Sequence, residues 1–337
     1  MRYGRELPGY PYDLKAKLTR CLIFGQRQVF GRALHNISDF SALDIAYAGQ
    51  CANNVIFEIL EKNDPCLISR FGSGEMEAVL RGLDVQSSCP TWLKAVKLFA
   101  GRCGPFWWDN SIRAGIVWNA GYFPETNHDL NLFSDRVADD SRQIDLLGSW
   151  LPGEKRLSKI YFPSAIAVPL EDMTPFLFKN PWTRTLNRKK VLVVHPFADT
   201  ITKQYAKRKE LFLDSECLPD FNLITYRSVQ SAIGIKTSHS TWFEALDKMC
   251  SDISKIDFDI ALIGAGAYGM SIGAFIKRDM KKKGVHLGGM LQLIFGIKGR
   301  RWDNIPRFSG FYNDAWTRPL PHEIPPNSNS IEGGCYW

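Results

Sequence analysis

The sequence predicts an α/β fold: an open, doubly wound, mostly parallel sheet of Rossmann-like type, with a helical extension at its N-terminus. Three observations carry this. Continuous apolar runs such as VLVV at 191–194 and IALIG at 260–264 suit strands buried on both faces, as in a parallel sheet. Strand-like and helix-like patterns alternate across most of the chain. Glycine clusters follow several strand patterns, where such sheets turn into helices and place ligands.

Residues 1–62 differ in character from the rest. Within them, 14–37 hold five Lys or Arg and no acid, with Leu14, Leu18, Cys21, Leu22, Val29, Ala33 and Leu34 near helical spacing. Such a basic amphipathic segment packs on a neighbouring domain with its charged face in water, or lies on an anionic membrane. A second helical pattern, 39–62, leads into the main α/β domain at 63–337. Strand patterns follow at 66–71, 115–119, 160–168, 191–195, 223–226, 260–264 and 285–287. Helical patterns at 75–83, 91–100, 200–212 and 241–253 lie between them. The basic and polar run at 180–190 is the best seam between two halves. The tail at 319–334 is rich in Pro, Asn and Ser and reads as irregular, with Tyr336 and Trp337 packed down.

Composition narrows the class. With 45% hydrophobic and 23% charged residues in 337, the chain has ample material for a buried core. Its net charge of +7 suits an anionic ligand or an acidic membrane surface, and equally an ordinary basic enzyme; no nucleic-acid partner is expected. The eight cysteines are scattered without a C-x-x-C pair, so reduced thiols and a cytoplasmic compartment are expected. The first residues lack a secretory pattern. The uncharged run at 260–276 is interrupted by glycines and reads as fold core rather than a membrane span.

Gly264, Gly266 and Gly269 form a literal G-x-G-x-x-G between a strand and a helix pattern. A dinucleotide fingerprint also needs an acid at the end of the next strand, and KKKGVHLGG at 281–289 supplies only His286 there. NAD is therefore not expected, while a turn addressing another nucleotide phosphate stays open, as does close packing of the helix on the sheet at Gly269 and Gly273. Gly288 and Gly289 make a second turn. Lys298, Arg300 and Arg301 follow it and offer phosphate-binding cations, or a solvated basic helix end. In SRFGSGEMEAVL, Glu75 follows a strand within a glycine turn, suited to a base or a cation ligand. The same residues also read as a helix N-terminus with Ser73 as cap. His195 ends a buried strand where open sheets place ligand groups. Asp199 and Thr200 just after it read as turn and cap residues. Aromatics such as Phe106 and Trp108 suit either sugar stacking or core packing.

RFGSGE resembles the R-[FY]-G-D-G-E signature of bacterial glycosyltransferases of the GT-D fold. HPFADTITKQY, ALIGAGAYGMSIGAFIK, HLGGMLQLIFGIKGRRWD and the WTRPLP…EGGCYW ending resemble blocks of related surface-polysaccharide proteins. The resemblance runs from about residue 55 to the C-terminus. It implies a nucleotide-diphospho-sugar donor and a glycan or lipid-linked glycan acceptor. Taken with the reading of the strand ends and turns, the expected catalytic groups are Glu75 and His195, with Arg70, Gly72, Ser73, Gly74, Gly264, Gly266, Gly269, Gly288, Gly289, Gln292, Lys298, Arg300 and Arg301 expected to line the donor site. The family's Asp-x-Glu pair implies Mn²⁺ or Mg²⁺ on the diphosphate. Here Ser73 replaces the Asp, so the metal rests on Glu75, or basic residues replace it. The expected protein is a cytoplasmic glycosyltransferase, with peripheral contact at the inner membrane face through 14–37 left open beside packing of that segment on the main domain. The alternatives are a nucleotide-dependent oxidoreductase or sugar-modifying enzyme using the Gly264 turn, and a non-catalytic glycan-assembly protein.

Overall fold

A computed structural model of the chain describes residues 42–100, 103–232, 235, 237–326, 328 and 334–337. The basic segment at 14–37 lies outside these residues. Seven parallel strands form one sheet: β1 (Leu67–Ser69), β2 (Leu146–Ser149), β3 (Ile166–Pro169), β4 (Lys190–Val194), β5 (Asn222–Tyr226), β6 (Ile260–Ile263) and β7 (Lys283–His286), in the order β3-β2-β1-β7-β6-β4-β5. The Rossmann-like α/β expectation holds. Strands before and after 180–190 enter this one sheet, joined through β7, so that stretch is a crossover within it.

Alternation along the strands builds two cores. Ile68, Val191, Val193, Ile260, Leu262 and Val285 face one side, packed under α1 (Gln50–Glu61) through its Ala52, Ile56 and Leu60. Residues 50–61 therefore belong to the main domain. Leu67, Leu192, Val194, Ala261 and Ile263 face the other side. Helices α2 (Ser73–Gln86), α4 (Asn127–Asp140), α7 (Trp242–Ile253) and α8 (Gly269–Arg278) cover that face, and α3 (Thr91–Phe99), α5 (Glu154–Tyr161) and α6 (Ala198–Ala206) complete the larger helices. Burial of these strands from both sides is what their uninterrupted apolar sequence required.

Three local readings change. Residues 115–119 are not a strand: Gly115–Ala120 is π-helical and continues the helix Asn110–Ala114. The 160–168 pattern divides into the end of α5 and β3. β2 lies in a segment where the sequence suggested no strand. Residues 260–276 form β6, a turn and α8, all buried, and no helix among the described residues is long and apolar enough to cross a membrane.

The chain reverses direction between β4 and β6. The connection from β4 runs through α6 to β5, and that from β6 runs through α8 to β7 on the opposite side. After β1 the chain passes to α2 on one face, and after β7 to residues 291–294 on the other. The carboxyl ends of these four strands lie where open sheets form a ligand crevice.

Candidate functional site at the carboxyl edge of the sheet

Each wall of the crevice is a strand end followed by a glycine. Arg70 leaves β1 and passes over the Gly288 turn, where a Cβ would lie 3.3 Å from its Nη1; Gly288 itself has φ +59°. Its guanidinium sits 5.2 Å from the ring centre of Trp150, which follows β2. Arg70 Nε is buried without a hydrogen-bond partner. Burial pulls this guanidinium below the ordinary arginine range, opposed chiefly by Glu75. A guanidinium N–H without a partner is a donor suited to an anion.

Glu75 is in the first turn of α2, whose N-cap is Gly72 rather than Ser73. Its carboxylate folds back over Gly72, so a Cβ there would meet Glu75 Oε2 at 2.0 Å. It is enclosed by many atoms yet reachable by solvent. Burial raises its pKa above the usual carboxylate range, with Arg70 and its own backbone N–H opposing. Ser73 is exposed, and Gly74 meets only ordinary contacts from Gly115 and Ala120.

His195, 3% exposed, ends β4. Its Nδ1 accepts the Phe197 N–H at 3.0 Å, so the neutral ring carries its proton on Nε2. Burial takes its pKa down to about 3. That arrangement makes it a hydrogen-bond donor at neutral pH. Gly264 makes room for it: a Cβ would lie 2.6 Å from His195 Cδ2 and 2.8 Å from Gly288 O.

The remaining glycines serve the fold in the same way. A Cβ on Gly269 would strike His286 Nε2 at 2.3 Å, and one on Gly273 would strike Leu67 at 2.6 Å, so the helix lies close on the sheet. His286 Nδ1 is 3.0 Å from Ser69 Oγ. Burial, helped by Arg70, lowers its pKa to about 3. Gly266 adopts φ +53°, and Gly289 is covered by the Tyr336 ring. Gly269, Gly273 and Gly289 thus make room for protein side chains, while Gly266 turns the backbone beside Ala120 O.

The basic run does not converge. Lys298 Nζ lies 5.4 Å from the centre of the Tyr312 ring. Arg300 turns to a separate recess lined by Asp303, Arg318 and Trp337. Arg301 alone approaches the crevice, 4.8 Å over Tyr336 and close enough to act on Arg70. Gln292 is fully buried and donates to Ile297 O and Tyr336 O, so it anchors the tail instead of facing a ligand.

A divalent cation does not fit the Glu75 turn. Its one carboxylate stands beside Arg70, and the hydroxyl at Ser73 is a weak cation ligand. Among the described residues, Asp199, His322 and Glu323 group their potential ligand atoms within 4.8 Å. Their partners account for this grouping. Glu323 accepts the Asp199 and Thr200 N–H groups at 2.8 and 3.2 Å, capping α6 from the tail, and Asp199 pairs with Arg227 and His322.

Trp150 was missed together with β2. It is 43% exposed, yet its indole N–H donates to Phe71 O at 3.0 Å and its backbone N–H to Glu154. Its signal in the sequence is slight: two leucines after Asp145, then Gly148 and Ser149 before the aromatic. No protein family, curated protein or solved structure matches this chain in the comparisons made with them.

Proposed function

We propose that the chain is a glycosyltransferase whose crevice holds the diphosphate of a nucleotide-diphospho-sugar. The sugar passes to a glycan or lipid-linked glycan acceptor of a bacterial surface polysaccharide, at the cytoplasmic face of the membrane. The observation that carries this reading is Arg70, a half-buried arginine whose enclosed Nε lacks a partner, beside the Glu75 carboxylate at a strand end. Arg70 and the Nε2–H of His195 stabilise the departing diphosphate as the bond from the anomeric carbon to its oxygen breaks. The acceptor oxygen forms the new bond to that carbon, and its proton passes to Glu75, whose raised pKa makes it the stronger base. Trp150 presents a fixed aromatic face beside these groups, suited to a sugar ring.

The test is hydrolysis and transfer with a panel of UDP- and GDP-sugars, with and without Mn²⁺. Glu75→Gln should lower turnover by about 10²-fold or more. Unchanged turnover in that variant removes Glu75 from the mechanism. Tight NADH binding with no response to UDP or GDP favours the oxidoreductase alternative.

A further inference from the structure

The nine-residue helix α3 presents its apolar side to water. Trp92, Val96 and Phe99, at i, i+4 and i+7, are 68%, 55% and 42% exposed. The helix is held from its opposite side, where Leu98 is buried and Lys94 Nζ donates to Val85 O at 2.9 Å. The exposed stripe is therefore a fixed feature of the surface, well separated from the crevice by the length of α2. In space Asp84 stands near the buried side of the helix, acting on Cys103, whose Sγ donates to Lys94 O; in sequence the helix lies in a basic and aromatic stretch. Residues 85–108 contain Lys94, Lys97 and Arg102, five aromatic residues (Trp92, Phe99, Phe106, Trp107 and Trp108) and no Asp or Glu.

We propose that α3 docks on an anionic lipid surface, with Trp92, Val96 and Phe99 entering the headgroup boundary and Lys97 at the phosphate level. Tryptophan beside lysine without acids is the composition that membrane interfaces select. A second copy of the chain is a poorer occupant, because three side chains on one short helix fall far below the roughly 800 Å² per partner of a stable interface. The basic segment at 14–37 is also a poor cover for it, since both are cationic and acid-free; an anionic surface accepts both.

The experiment is co-sedimentation of the full chain with large vesicles of phosphatidylcholine alone and of phosphatidylcholine with phosphatidylglycerol. The chain should sediment with the anionic vesicles, less so as salt rises. Trp92→Ser/Val96→Ser should lower the partition coefficient roughly tenfold, and Lys97→Glu roughly fivefold or more. Three results overturn the proposal: no sedimentation with anionic vesicles, wild-type binding by the double variant, or a dimer of the wild type that the double variant dissolves.

Discussion

The two edges of the sheet hold similar side chains in opposite conditions. At the amino edge a recess of about 470 Å³ is lined by Lys62, Asp64, Arg142, Asp145 and Lys277 among others. There Lys277 Nζ donates to both oxygens of Asp145 at 2.8 Å and to Gln143 O, and Asp145 also accepts the Leu67 N–H at 2.8 Å. The Lys277–Asp145 pair ties α8 to the starts of β1 and β2. At the carboxyl edge Arg70 keeps Nε without a partner, and His195 and His286 are held neutral within the protein. The amino edge holds an ion pair already satisfied, whereas the carboxyl edge keeps a guanidinium N–H without a partner.

The largest test of this contrast is pH. The folded-state pKa values of His195 and His286, about 3, lie below the ordinary 6.5, so the folded state binds fewer protons than the unfolded one. Their contribution is intact above about pH 6.5 and is lost as pH falls toward 3, at about 1.4 kcal/mol per pH unit for each. Thermal melts over that range should show the loss, and His286→Gln should remove about half of this slope. Next in size is Gly269→Val, which drives a side chain into the bonded His286 ring and should cost about 3 kcal/mol by urea unfolding. Glu323→Ala should cost about 1–2 kcal/mol by stripping the cap from α6, with no dependence on added metal. Smallest, Lys277→Met at the amino edge should cost about 1 kcal/mol and leave turnover unchanged.

Much of this was legible in the sequence because strand ends are self-announcing in a parallel sheet. Apolar runs such as 191–194 and 260–264 located β4 and β6, and the residues just past the strands, Arg70, His195, Gly264 and Gly288, meet at the crevice. The 115–119 run misled because five largely apolar residues suit a buried helix as well as a strand. β2 escaped because Gly148 and Ser149 broke its apolar pattern, and Trp150 was lost with it. The basic clamp failed for another reason. Where Lys298, Arg300 and Arg301 point is set by Tyr312 and by the packing of Tyr336 and Trp337 against them, a tertiary arrangement that neighbour spacing does not encode. Glycines were correctly located, but their reason lay in distant side chains: His195 over Gly264, His286 over Gly269 and Tyr336 over Gly289.

The central claim is that Arg70 is the anion-receiving group of the crevice. Isothermal titration of the wild type, Arg70→Met and Lys277→Met with UDP and GDP measures it directly. Nucleoside diphosphate should bind the wild type and Lys277→Met alike, and Arg70→Met at least about tenfold more weakly. Equal affinity in Arg70→Met, or a loss confined to Lys277→Met, would contradict the assignment.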